Sequence, residues 1–173
     1  AGFRVSRATV DLPEPERRVV HLAPSAEQME RLKAIIGIAT QRARFPVNQY
    51  DDLLTGDRDE TREEGAINVL TRNLRQQQVT AGFCVDDEGT PLPLPDPKAD
   101  WIERYLLDVL PTEDAHAIVW TQFIPEIEAL VARLSGTLPG VVARIDGGVA
   151  DTDRQVIRRR FNDRQDPLRV LVM

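Results

Sequence analysis

Metal ligands and disulfide partners are scarce in this chain of 173 residues, which holds one cysteine, Cys84, and two histidines, His21 and His116. A single thiol closes no intrachain disulfide, and one Cys with two distant His residues offers no close-spaced ligand set for a structural zinc. That usage points to a reducing, intracellular compartment, cytoplasmic or nucleoid/nuclear. Long apolar runs are missing too. Stretches such as Ile35-Ile36 or residues 170–173 fall far short of the roughly 18–20 residues of a membrane span, and no charged-then-apolar leader opens the sequence, so no membrane partner is expected. Nor is there an excess of positive charge. With 22 Lys and Arg against 28 Asp and Glu, the formal net charge of -6 excludes a general basic surface, and any contact with nucleic acid must be local.

The signatures of common catalytic sites are absent as well. There is no G-x-x-x-x-G-K-S/T phosphate loop, no G-x-G-x-x-G turn, no G-x-S-x-G nucleophile elbow and no H-E-x-x-H pair. Cys84 has no histidine base near it in sequence. The acids between residues 51 and 64 can be paired at any spacing, so they identify no acid–base couple. No complete catalytic centre and no metal site are expected in these residues.

What is present is the balance of a globular domain, 42% hydrophobic and 29% charged, sufficient for an apolar core without staples. The opening Ala1-Gly2 and the apolar close over residues 169–173 read as part of a longer protein, with the last run a strand whose exposed edge would favour self-association.

Residues 17–22, rich in β-branched side chains, predict a short strand. Ser25-Ala26-Glu27-Gln28 has the form of a capping box, and Met29, Leu32, Ile35, Ile36 and Ala39 follow at helical spacing as a core face. The polar stretch 51–65 predicts an exposed loop, and 66–79 a second helix with Ile67, Leu70 and Leu74 on one side. Residues 91–95, Pro-Leu-Pro-Leu-Pro, are too rigid and donor-poor for a central strand and mark an internal boundary.

Beyond it the pattern is regular. Asp96-Pro97 is an N-cap with proline at the first helical position, and Trp101, Tyr105, Leu106, Val109 and Leu110 form an apolar face. A buried strand is expected at 116–120. The helix that follows carries Phe123, Ile127, Leu130, Val131 and Leu134 and is terminated by Gly136. Strand 141–145, helix 152–162 and strand 168–173 complete a βαβαβ alternation, which argues a parallel sheet with helices on both faces.

Ligands of open parallel sheets bind at the carboxyl ends of the strands. Two clusters stand there. Thr121-Gln122-Phe123 places a hydroxyl and an amide beside a helix start, suited to a phosphate, with helix capping by Thr121 as the plainer reading. Asp146-Gly147-Gly148 permits a tight turn and close backbone approach, which turn chemistry alone also explains. Arg154, Arg158, Arg159, Arg160 and Arg164 then make a local basic patch or, equally, a solvated helix face.

Taken in order, these pieces resemble the Swi/Snf-type family of helicase-like, DNA-dependent ATPases within helicase superfamily two. The resemblance is carried by Leu12-Pro13-Glu14 with residues 17–22, Gln28, Leu74-Arg75-Gln76, Lys98, the run 117–123 (Ala-Ile-Val-Trp-Thr-Gln-Phe), Arg144-Ile145-Asp146-Gly147-Gly148, Arg154 with Ile157, and Phe161-Asn162. Trp120 stands where the family has Phe, and Gly148 where Ser or Thr is common.

The resemblance implies an α/β fold: a partial RecA-like lobe with a parallel sheet and flanking helices, preceded by a mainly helical segment. Residues 1–95 would be the inter-lobe linker and helical protrusion, and 96–173 the first half of the C-terminal lobe. It further implies an ATP-dependent DNA translocase or helicase, with ATP and Mg2+ held in the full-length protein and neither bound by this fragment alone. Duplex DNA would be the partner, gripped through its phosphate backbone by Thr121, Gln122, Asp146 and Gly147, with Arg154 and Lys98 as further contacts. A protein partner on the acidic 51–64 stretch of a non-catalytic module, or a superfamily-two RNA helicase, are the competing readings.

Overall fold

Ser25 and Gln28 start the first helix by the reciprocal bonds of a capping box. In the computed structural model, which describes residues 16–42, 60–86, 88–112 and 115–173, the Gln28 N–H donates to Ser25 Oγ at 3.2 Å and the Ser25 N–H to Gln28 Oε1 at 2.9 Å. Helix α1 spans Ala26–Arg42 and α2 Glu60–Thr80. Gln28 does a second job. Its Nε2 donates to the Val79 carbonyl at 2.9 Å, both residues being 2% exposed, and ties the start of α1 to the last turn of α2.

This end of the molecule departs from several expectations. Residues 17–22 are extended but pair with no strand among the described residues, leaving Val19 65% exposed. Residues 60–65 belong to α2 rather than a loop. Residues 51–59 lie outside the described residues, as does Leu12-Pro13-Glu14. Met29, Ile36, Leu70 and Leu74 are exposed rather than core, since α1 and α2 pack chiefly on each other and, through α2, on the ribbon that follows.

That ribbon is built by prolines where no donor is needed. β1 (Phe83–Val85) and β2 (Pro91–Pro93) pair antiparallel as a two-stranded sheet, with Cys84 opposite Leu92. Gly82 makes the entry possible: its φ is +84°, and a Cβ there would lie 2.6 Å from Asp96 Oδ2. Asp96 in turn accepts from the Lys98 and Ala99 N–H groups at 2.9 and 3.2 Å, starting α3 (Pro97–Thr112) as its N-cap.

The parallel sheet has the order β3-β5-β4, with β3 at Ala117–Val119, β4 at Val142–Arg144 and β5 at Val170–Val172. Helix α4 (Ile124–Thr137) joins β3 to β4, and α5 (Asp151–Asn162) joins β4 to β5. Alternation along β5 splits the core in two. Val170 and Val172 face Ala99 and Leu106 of α3 and Ile127, Leu130 and Leu134 of α4, whereas Leu171 faces Ile157 and Phe161 of α5. Helices therefore cover both faces, as the alternating pattern required. Arg133 bonds Asp100 at 2.7 Å and Glu103 at 2.6 Å, fastening α4 to α3.

Details shift with this packing. The last strand is the central one, hydrogen-bonded on both sides, and offers no edge for self-association. β3 is instead an edge strand, with Ile118 49% and Trp120 76% exposed, because α5 lies over β4 and β5. The buried face of α3 runs through Ala99, Ile102, Leu106 and Leu110, while Trp101 and Tyr105 stack on each other, centroids 5.0 Å apart. Gly136 lies inside α4, and the chain turns at Gly140, whose φ is +77°.

Replacing Gln28 by Ala removes one capping partner and leaves the buried Val79 carbonyl with the 3.2 Å Gly82 N–H alone. It is expected to destabilise the chain by about 2–3 kcal/mol, read as a lower urea midpoint at unchanged slope; an unchanged midpoint would show that α1 is not coupled to α2 through this side chain.

Candidate nucleic-acid interface

The carboxyl ends of the three parallel strands form one edge, and the backbone defines it. Thr121 N–H donates to the Met173 carbonyl at 2.7 Å, Met173 N–H to the Val119 carbonyl at 2.9 Å, and Ile145 N–H to the Val172 carbonyl at 2.9 Å. The ends of β3 and β4 thus flank that of β5, about 10 Å apart at the usual strand spacing.

On the β3 side, Thr121 is half-buried and its Oγ1 has no hydrogen-bond partner. It does not cap α4. Phe123 is the N-cap, without a side-chain bond, and Phe123 packs edge-on against Phe83 with centroids 5.5 Å apart. A buried hydroxyl without a partner among the described residues is uncommon. Gln122 is exposed, its amide held only by a 3.3 Å bond to Gln77 Oε1 of α2. Lys98 lies at the start of α3 and is ion-paired with Glu126 in the first turn of α4, a carboxylate residue only 4% exposed. Its ammonium therefore braces the helix that begins behind Gln122.

On the β4 side, Asp146, Gly147 and Arg154 come together. Asp146 Oδ2 pairs with Arg144 Nε, and Oδ1 accepts the Gly148 N–H at 2.7 Å. These bonds hold its carboxyl below the ordinary aspartate range, the Arg144 hydrogen bond contributing most. Arg144 also reaches Glu128 of α4 at 3.1 Å, so the turn is anchored to the helix on the far side of β4. Arg154 Nη2 donates to the Asp146 carbonyl at 2.7 Å and Nη1 lies 3.4 Å from Asp151, while its buried Nε is unpartnered. Gly147 is exposed, has no positive φ, and a Cβ there would meet nothing within 4 Å. The fold itself thus makes no demand for glycine at that position.

The edge carries donors: the Thr121 hydroxyl, the Gln122 amide, the Arg154 guanidinium and the exposed backbone of Gly147. No side chain caps either α4 or α5, whose first-turn N–H groups are left open. Such a set suits anionic oxygen. No group of three His, Cys, Asp or Glu that could hold a metal occurs among the described residues, and the sequence has no glycine-rich phosphate loop.

Arg144, Glu126 and Gln77 carry this arrangement yet stood outside the predicted site. Arg144 and Asp146 are two residues apart, a spacing that signals a turn bond, and Glu126 occupies a helix first turn; Gln77 carried no local signal.

The sheet order, the crossovers and the helices on both faces define a partial RecA-like α/β lobe with a helical segment before it. No family model matches the chain, and no curated protein matches it in sequence. Among solved structures it is similar to the Sulfolobus solfataricus SWI2/SNF2 ATPase C-terminal domain, with TM-score 0.57 and 14% identity over 86% of this chain and 58% of that chain. The chain has a Swi2/Snf2 helicase-like fold and spans little more than half the length of that neighbour. Among the described residues, no helix is long and apolar enough to cross a membrane.

A depressed aspartate stabilises the folded state above the unfolded pKa of about 4 and loses that contribution as pH falls through the lower folded value. The stability difference between wild type and Asp146→Asn is therefore expected to be constant above about pH 5 and to shrink below pH 4, measured by urea unfolding across pH. A difference independent of pH would remove Asp146 from the acid response.

Proposed function

We propose that this chain is the inter-lobe region and first half of the second lobe of an ATP-dependent DNA translocase of the Swi/Snf type. In this reading residues 1–95 are linker and protrusion, and 96–173 carry a phosphate-backbone grip. The observation that carries it is the placement of Thr121 and Gln122 after β3, and of Gly147 with Arg154 after β4, at one carboxyl edge of a sheet whose fold is similar to that of a SWI2/SNF2 ATPase domain. Thr121, Gln122, Gly147 and Arg154 contact phosphate oxygens of one strand, indifferent to sequence. Asp146 and Lys98 act through what they hold: Asp146 shapes the Gly147-Gly148 turn, and Lys98 braces α4 through Glu126.

ATP and Mg2+ belong to the full-length protein in this proposal, bound by residues that these 173 do not include. Lobe closure would then advance the grip along DNA. Phosphoryl transfer needs phosphate cradle, metal and charge-stabilising arginine together, so the isolated 173 residues are expected to give no ATP turnover. In the full-length protein, Gln122→Ala should lower duplex-stimulated turnover more than basal turnover; equal loss of both would contradict the grip. Stimulation by RNA alone would favour an RNA helicase.

Gly147→Ala separates ligand approach from folding. Stability is expected to stay constant or rise by up to about 1 kcal/mol. Affinity for duplex DNA should fall about tenfold, the worth of one contact of roughly 1.4 kcal/mol, by fluorescence anisotropy. Unchanged affinity would place the phosphate away from this turn.

A further inference from the structure

We infer that the outer face of α5 is a second phosphate-contact row, formed by Arg158, Arg159 and Arg164, which continues the path of a nucleic-acid strand away from the β4 end. The inference rests on the nucleic-acid reading of the strand edge and extends it to residues that reading does not use.

The first observation is one of pairing. From residue 96 onward, Lys98, Arg133, Arg144, Arg154 and Arg160 each hold a carboxylate, Arg104 reaches the Asp100 carbonyl, and Arg169 is engaged as well. Arg158, Arg159 and Arg164 are exposed and have no hydrogen bond or ion pair among the described residues. In a chain with six more acids than bases, three neighbouring cations remain uncompensated. Attraction of basic residues to a helix C-terminus accounts for Arg159 and Arg160 in the last turn of α5. It does not account for Arg164, beyond the helix, and Arg158 stands one residue before that last turn.

The second observation is placement. At about 100° per residue, Arg158 follows Arg154 on the same side of the helix. Arg159 lies further round, opposite Ile157 and Phe161, which pack into the core. Exposed Gln155 and Asn162 fall between these arginines and add neutral donors. The row begins beside the Asp146 carbonyl, where Arg154 is bonded, and runs out along α5. A polyanion with charges at regular spacing meets successive cations there, which a single small anion does not.

The test is binding of the 173-residue chain to a fluorescein-labelled 30-base-pair duplex, by anisotropy between 50 and 200 mM salt. Polyglutamate of equal charge serves as competitor, and thermal melting followed by circular dichroism checks folding. The triple variant Arg158→Gln, Arg159→Gln, Arg164→Gln should keep the melting transition and reduce the slope of log K on log salt by about 2–3. Gln122→Ala should weaken binding with the slope unchanged. A triple variant with the wild-type slope overturns the row while leaving the strand edge standing. Loss confined to the triple variant, with Gln122→Ala neutral, supports the row and overturns the edge. Equal competition by polyglutamate, or no duplex binding by wild type at any salt, overturns the row.

Discussion

β5 is the constraint on which the rest of the lobe depends. Val170, Leu171 and Val172 have nearly no solvent exposure, and their backbone is hydrogen-bonded on both sides, to β3 and to β4. A strand buried on both faces must supply apolar side chains at every position, and this one does. Its two faces seed the two cores: α3 and α4 pack on the valines, α5 on the leucine. Because β3 and β4 both take their register from β5, the Thr121 and Asp146 turns come out at one edge, though 25 residues of sequence separate them.

A second layer of organisation is ionic and holds the turns rather than the core. Glu126, almost fully buried, is paired with Lys98, and Arg144 is shared between Asp146 and Glu128. The first pair joins α3 to α4, and Arg144 joins the end of β4 to α4. In partly buried surroundings such bonds are directional, so they set where a loop points more than how stable the domain is. The consequence at the edge is a division of labour. Lys98, Asp146 and Arg154 are engaged with neighbouring groups, while the Thr121 hydroxyl has no partner among the described residues and the Gln122 amide meets Gln77.

The periodic second half was the legible part. The Asp96 cap, the Ser25-Gln28 box and the βαβαβ alternation are local signals, each set by residues within one or two turns, and each is realised as read. The first half was less legible for a physical reason. Leu70, Leu74 and Ile36 recur at helical spacing but stay exposed, because periodicity shows that a face is apolar and not that anything covers it. Residues 17–22 have strand propensity and no neighbouring strand among the described residues, and propensity alone closes no ladder.

The candidate site divides along the same line. By itself the sequence determined the α/β class, the parallel sense of the strands and the two short clusters that follow β3 and β4, since these depend on patterns within a few residues. Tertiary structure alone decided that the last strand is central, that Thr121 Oγ1 is left unpaired, that Lys98 turns to Glu126, and that Arg158 and Arg159 find no carboxylate. A side chain's partner depends on which distant elements pack beside it, and packing is a property of the whole chain rather than of any window in it.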